Sequence, residues 1–397
     1  VNPPTWDQKI SVLHIIESLA RGGAERRLVN DLTYLAEEGV ENHVAFVLPA
    51  DDLQAEIESL GVPVYPLGLR GKKDLPAVLL RLRRLARRIQ PHILHTQLFF
   101  ADLLGRLAAK GLLNPRQSQS PRIVSTAQNT MYEPDWKPYS NSPKRLWLDR
   151  LTARRYVDHC VAVSEHAKRS TIRWMGYRPE DVTVIYNTVD PSRFVPMTQE
   201  ERNSLRGELG LSPDDFVLFG AGRLVPEKGF QVMFHALAGL PPQKHRTRFI
   251  LAGGGPWEVD LKTLHHDLGL GDRARFLGVR TDLHRILQAG DLFLFSSLCC
   301  EGFPVAPLEA MALGVPCLAS HVEPIGEIIE EGRTGYLFAP GDAGNLGRTL
   351  ARLAPQRDER SKVARAARGS VLARFDARQG AKKLAACYRS LLEERPA

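Results

Sequence analysis

Two glutamates with seven residues between them, Glu301 and Glu309, frame the run Glu-Gly-Phe-Pro-Val-Ala-Pro-Leu-Glu-Ala-Met-Ala. An apolar, strand-like stretch over residues 291–297 precedes it, and a helical pattern over 308–313 follows. A strand that passes through a short loop into a helix aims unpaired backbone N–H groups into that loop and favours an anion there. A carboxylate at each end of the loop can accept hydrogen bonds from sugar hydroxyls. The combination suits a phosphate joined to sugars on both sides, as in a nucleotide sugar.

Two further segments carry the same chemistry. Gly22-Gly23-Ala24-Glu25 follows the first strand-like run, and its glycines allow the backbone to approach a phosphate closely. A tight strand-to-helix turn would use glycine in the same way. Gly222-Arg223-Leu224-Val225-Pro226-Glu227-Lys228-Gly229 lies at a second strand end. The Arg223 fork can hold two phosphate oxygens, and Lys228 adds a compact positive charge. With both in place no bound metal is needed to neutralise a leaving diphosphate, and the chain has no Asp-x-Asp. No metal and no cofactor is expected.

These segments resemble the motifs of glycosyltransferase family 4 (glycosyltransferase group 1), retaining enzymes with the GT-B fold. The paired glutamates resemble the family's E-x7-E motif, with Gly302, Phe303-Pro304 and the Glu-Ala-Met-Ala helix start also matching. The resemblance implies that Glu301, Gly302, Phe303 and Pro304 meet the transferred sugar, with Glu301 near its anomeric carbon. It implies that Glu309 holds the ribose, that the backbone over 303–306 completes the cradle, and that the base lies near Val279 and Arg280. Gly22, Gly23, Arg223 and Lys228 would meet the donor diphosphate. The chain departs from the commonest family pattern at 125–130, where Gln128 and Asn129 stand in place of a histidine close to the reacting sugar. Asn129 fits an Arg-Asn version found in some relatives. Gln128 and Asn129 are the candidate catalytic partners of Glu301, although they could equally cap a turn. Ser164 reads as a helix N-cap, and Asn187 and Asp190 as turn formers.

The elements that would carry these loops alternate. Strand-like runs at 9–16, 43–48, 62–67, 93–96, 123–126 and 157–163 are interleaved with helical stretches, and the pattern resumes at 215–222, 248–252, 275–277, 291–295, 316–319 and 336–338. Alternation of this kind predicts parallel, doubly wound sheets, with ligands outside the carboxyl ends of the strands. The expected fold is therefore α/β, with two Rossmann-like domains facing across a cleft. Residues 1–195 form the acceptor-side domain and 196–375 the donor-binding domain. A last helix over 376–397 could cross back to the first.

Composition narrows the class. At 397 residues and 43% hydrophobic content the chain can form two ordinary domains. No apolar run approaches the ~18 residues that span a bilayer, and residues 1–6 lack the layout of a signal peptide. Five scattered cysteines show no metal-ligand spacing, and Cys299 and Cys300 read as small packing residues, which together suggest a reduced, cytoplasmic setting. Residues 1–195 hold 27 Lys and Arg against 21 Asp and Glu, and the remainder 26 against 24, so an anionic partner is expected of the first half. The amphipathic helix over 75–90 carries Arg81, Arg84 and Arg88 on its polar face. A solvated face is the simpler reading. Docked by charge on an anionic leaflet, each arginine would contribute about 1 kcal/mol. Nucleic acid is not expected, because no aromatics interleave with the arginines.

The function these readings imply is transfer of a hexose or N-acetylhexosamine from a nucleoside diphosphate, UDP first, to a saccharide or lipid-linked hydroxyl. The alternatives are a non-catalytic nucleotide-sugar-binding relative and a nucleotide-sugar 2-epimerase.

Overall fold

Ile10–Ile16 (β1) is buried along its whole length, as a central strand of a parallel sheet must be when helices cover both faces. Its alternate residues enter different cores. Leu13 and Ile15 pack with Val78, Leu82 and Leu104, whereas Ile10 and Val12 pack with Leu35, Leu384 and Tyr388. A register slip of one residue would exchange these sets, so the pattern fixes the sheet. The computed structural model describes residues 9–110, 120–130, 132–133, 142–240 and 246–393. The signal-peptide reading at residues 1–6 lies outside them.

The chain divides into two compact units, Val1–Thr188 with Ala377–Ala397, and Val189–Asp376. The boundary thus lies a few residues before the 195/196 expected from the proline-containing segment. In unit 1 the strands are β1, β2 (Val40–Phe46), β3 (Val64–Pro66), β4 (Ile93–Gln97), β5 (Arg122–Ala127), β6 (His159–Ala162) and β7 (Val182–Val184). They form one parallel sheet in the order β3-β2-β1-β4-β5-β6-β7. Its helices are α1 (Gly23–Leu35), α2 (Gln54–Ser59), α3 (Leu75–Ile89), α4 (Phe99–Lys110), α5 (Pro143–Tyr156) and α6 (Glu165–Met175).

Helices α3, α4, α5 and α6 pack side by side, and α3 and α4 share the core of Leu13 and Ile15. The opposite core, around Ile10 and Val12, is closed by α1 and the C-terminal helix. That helix, Ala377–Glu393, buries Ala381, Leu384, Tyr388 and Leu391 there. Each such large apolar side chain contributes about 1.5–3 kcal/mol. Arg27 of α1, 1% exposed, donates to the Ile185 carbonyl (3.0 Å) and to Asn187 Oδ1 (3.2 Å) and pairs with Asp31 (3.3 Å). Asn187 therefore acts as an internal strut. Ser164 caps α6 by accepting from the Ala167 N–H (2.9 Å).

Unit 2 repeats the plan with six parallel strands: β8 (Phe216–Ala221), β9 (Thr247–Ala252), β10 (Ala274–Gly278), β11 (Leu292–Phe295), β12 (Cys317–Ser320) and β13 (Tyr336–Phe338), in the order β10-β9-β8-β11-β12-β13. Helices α7 (Gln199–Glu208), α8 (Phe230–Ala238), α9 (Glu258–Asp267), α10 (Leu283–Ile286), α11 (Val305–Ala312), α12 (Ala343–Leu353) and α13 (Arg357–Arg374) complete it, and the C-terminal helix of unit 1 is α14. The core joins Phe216, Phe234, Phe249 and Leu294 to Leu346 and Leu350.

Candidate functional site

In unit 2 the strand order reverses between β8 and β11, which are hydrogen-bonded neighbours. Crevices of open α/β sheets form at such a reversal, beyond the carboxyl ends of the strands. The loops leaving β8 and β11 are the two motif segments of this half. The Leu298 N–H donates to the Glu227 carbonyl (2.8 Å), and Ser296 Oγ donates to the Lys228 carbonyl (2.8 Å). Gly229, in the left-handed region at φ +68°, permits that approach, since a Cβ there would lie 2.0 Å from the Ser296 carbonyl oxygen.

Across these stapled loops Lys228 Nζ donates to Glu301 Oε1 at 2.6 Å, and Ser297 Oγ donates to the same oxygen at 2.5 Å. Glu301 is thus held by two donors, of which Ser297 was not singled out from the sequence. Arg223 is exposed on the β8 loop. Gly302, Phe303 and Pro304 are buried, and the Phe303 ring, 3% exposed, packs on Phe375 with centroids 5.3 Å apart. The Phe303 side chain is therefore core, and its backbone is what the loop can offer a sugar. Glu309 lies within α11, with His284 Nε2 3.9 Å from its Oε1. His284 stands at the start of α10, just beyond the expected base site. Val279 is 72% exposed, while Arg280 makes a bidentate pair with Asp282 (2.8 and 2.7 Å).

Cys299 and Cys300 correct an expectation. They are joined as a vicinal disulfide, at a turn where Cys300 has φ +74°. That turn brings neighbouring Sγ atoms together in a way that sequence adjacency alone did not suggest.

In unit 1 the reversal falls between β1 and β4. Gly22 caps α1 in extended conformation, with Gly23 opening the helix. Two carboxylates flank the loop. Glu25 accepts from Ser18 Oγ (3.0 Å), and Glu17 accepts from the Phe100 N–H (2.7 Å). Burial pushes both above the usual carboxylate range. The two carboxylates add acceptors for hydroxyl groups beside the backbone of this loop.

Gln128 donates to Gln97 Oε1 (2.8 Å), and Gln128 and Asn129 line a half-open cavity of about 570 Å³, a volume that includes solvent at its mouth. Its floor is a buried ionic cluster. Arg106 pairs with Asp149 (2.5 Å) and Asp102 (3.6 Å), Asp102 accepts from Thr96 (2.5 Å), and Tyr132 donates to Asp149 (2.7 Å). Among the described residues, four buried atoms of side chains lining this cavity have no hydrogen-bond partner: Arg106 Nε, Thr130 Oγ1, Trp174 Nε1 and Tyr177 Oη. Unpaired buried polar atoms are costly, so the cavity is suited to water or a polyhydroxylated guest. The sequence signal was a polar i, i+4 pair, Asp102 and Arg106, on a helix otherwise apolar up to its last residue, Lys110.

This cluster gives a pH prediction. Burial, outweighing the pull of Arg106, raises Asp102 to about 6. Between about pH 4 and 6 folded Asp102 keeps a proton that the unfolded chain releases, so its contribution to stability is lost as pH rises. Buried His14, lowered to about 4, and His95, lowered well below 6.5, act oppositely: their contribution is lost as pH falls from 6.5. Asp102→Asn removes the opposing term and should steepen the acid loss of stability by about 1.4 kcal/mol per pH unit in that window. Melting curves at pH 4.5 to 7 check this, and an unchanged slope would mean Asp102 is ionised throughout.

Comparison with known proteins gives a consistent result. Residues 21–193 match the family model described as Glycosyltransferase Family 4, and residues 201–370 match Glycosyl transferases group 1. The Escherichia coli UDP-Gal:alpha-D-GlcNAc-diphosphoundecaprenol alpha-1,3-galactosyltransferase is 26% identical over 355 residues, 87% of this chain and 88% of that protein. The lipopolysaccharide core biosynthesis glycosyltransferase LpsD of Rhizobium meliloti is 27% identical, covering 87% and 88%. Anabaena Alr3699/HepE, crystallised with UDP-glucose, superposes with a TM-score of 0.84 at 24% identity, over 96% of this chain and all of that one. That last likeness establishes the fold.

Proposed function

The chain belongs to the glycosyltransferases that join a family 4 domain to a group 1 domain in the GT-B fold, and from that premise we propose that it transfers a hexose or N-acetylhexosamine from a nucleoside diphosphate to a saccharide or lipid-linked hydroxyl. UDP is the carrier of first choice. The carrying observation is the Lys228–Glu301 pair, 2.6 Å apart, at the strand-order reversal of unit 2. An ammonium held beside a carboxylate supports a diphosphate at Lys228 and sugar hydroxyls at Glu301, with Arg223 on the same loop as Lys228. Glu309, with His284 beside it, takes the ribose, and the exposed loop at Val279 and Arg280 takes the base.

The reaction proceeds with retention and without a metal. The acceptor oxygen bonds to the anomeric carbon on the face from which the diphosphate departs. The bond from that carbon to the phosphate oxygen breaks, and the departing phosphate takes the acceptor proton. Lys228, Arg223 and the backbone N–H groups at the start of α11 stabilise the developing charge. Unit 1 binds the acceptor: the two carboxylates beside the Gly22-Gly23 loop, and the cavity behind Gln128 and Asn129, offer partners to its hydroxyls. The E. coli relative, whose name specifies a sugar on diphosphoundecaprenol, supports a lipid-linked acceptor.

The test is thermal stability with UDP, GDP and ADP. A ligand at 100 times its Kd stabilises the folded state by about 2.7 kcal/mol. One nucleotide should raise the melting temperature, and Arg223→Ala should remove most of that rise. No shift with any nucleotide would sink the donor assignment.

A further inference from the structure

We infer that the face of unit 1 built by α3 to α6 docks on an anionic bilayer, with Trp147 and Leu151 of α5 as its apolar insertion points. The solvent stripe of α5 runs Pro143, Lys144, Trp147, Arg150, Leu151, Arg154 and Arg155, the i, i+3, i+4 rhythm of one helix face. Trp147 is 65% exposed and Leu151 51%. The other side of the helix is anchored, with Asp149, Thr152 and Ala153 buried and Asp149 bound to Arg106. The helix cannot turn its apolar pair inward without breaking that ion pair.

The surrounding charge is one-sided. On α3, Arg81, Arg84 and Arg87 are exposed beside Leu80, itself 45% exposed. Among the described residues of α3, α4, α5 and α6, Glu165 is the one exposed carboxylate. Arg81 and Arg83 donate to the Leu67 (2.7 Å) and Leu107 (2.9 Å) carbonyls, which are neutral partners. The opposite face of the unit differs, since Arg378 and Arg389 of α14 pair with Glu37 and Glu38. A solvated surface ordinarily mixes both signs, as where Glu37 and Glu38 meet the cations of α14. Exposed Trp and Leu set among cations instead match an interfacial surface, where the indole sits at headgroup level and the cations meet anionic lipid. A single-stranded RNA could engage the arginines and stack a base on Trp147, but it has no use for the exposed Leu151. The α3 arginines, for which the sequence favoured a solvated face over docking by charge alone, thus become the flank of an insertion site on α5. The inference is separate from the donor assignment, because the measurement uses neither nucleotide nor acceptor.

The test is co-sedimentation of the full chain with vesicles of phosphatidylcholine, with and without phosphatidylglycerol, at low and high salt. The chain should partition onto the anionic vesicles at low salt and less at high salt. The double variant W147S/L151S should lower the partition about tenfold, while W147F retains it. R150Q/R154Q should weaken binding and flatten its salt dependence. K382Q/K383Q, on α14, should leave it unchanged. Melting curves matching wild type would show that the exposed positions were altered without loss of fold. Absence of binding, equal loss with the α14 variant, or an RNA affinity indifferent to W147S/L151S would each overturn the inference. So would a wild-type dimer that W147S converts to monomer, since the patch would then be a protein interface.

Discussion

Gly229→Ala should destabilise unit 2 by about 3–5 kcal/mol and abolish nucleotide-dependent stabilisation. Two costs add. An alanine in the left-handed region costs about 1–2 kcal/mol. The new Cβ would also sit 2.0 Å from the Ser296 carbonyl oxygen, and because that neighbour is backbone, no rotamer relieves the clash. The β8 and β11 loops must separate, which breaks the Leu298–Glu227 and Ser296–Lys228 hydrogen bonds, each worth about 1 kcal/mol. Lys228 and Glu301 ride on those loops, so their pairing is lost with them. Gly269→Ala is the control. Its φ is +59° and nothing lies within 4 Å of the added Cβ, so it should cost only the left-handed penalty and leave nucleotide binding intact. Equal melting temperatures for the two variants would show that the loops tolerate separation and that Gly229 does not position the site.

The part of this site that was legible in the sequence is the part written in backbone and charge. A fully buried strand such as β1 announces itself by composition, and glycine, arginine and lysine at a strand end announce a loop that can hold an anion. Side-chain direction is not written there. Phe303 lies in a loop that suits a sugar, yet packing against Phe375 turns its ring into the core. α11 starts at Val305, three residues before the helical pattern read over 308–313, and holds Pro307 in its first turn. Within the first helical turn the missing N–H has no partner to lose, so proline is tolerated there. The short strand β7 has too few residues to show an alternation. The cluster of Arg106, Asp102, Asp149 and Tyr132 gathers residues from distant segments, a meeting that only the folded sheet arranges. The same holds for α5, whose stripe has meaning only once Asp149 is known to face inward.

Glu301→Gln should lower turnover by about 10²–10³-fold while tightening UDP roughly fivefold. The two effects have opposite signs for one reason. Glu301 Oε1 holds Lys228 at 2.6 Å, and the two side chains are largely withdrawn from solvent, at 12% and 27% exposure. A diphosphate must compete with Glu301 for that ammonium and must also approach a carboxylate of its own sign. Removing the charge releases Lys228 and lifts the repulsion, a gain of about 1 kcal/mol for a partly exposed pair. Turnover moves the other way. As charge builds on the departing diphosphate, the anomeric carbon becomes electron-poor, and a fixed carboxylate nearby stabilises it. Loss of one such preorganised electrostatic partner costs about 3–4 kcal/mol. Ser297 Oγ, 2.5 Å from the same oxygen, can still donate to the amide oxygen of glutamine, so the geometry should survive the substitution. Calorimetry with UDP and a sugar-transfer assay read the two quantities separately. If UDP binding weakened in the variant, Glu301 would be supporting Lys228 rather than competing for it, and the diphosphate would have to sit elsewhere on the loop. If turnover were unchanged, Glu301 would be a structural partner of Lys228, and the carboxylate facing the reacting sugar would have to be another.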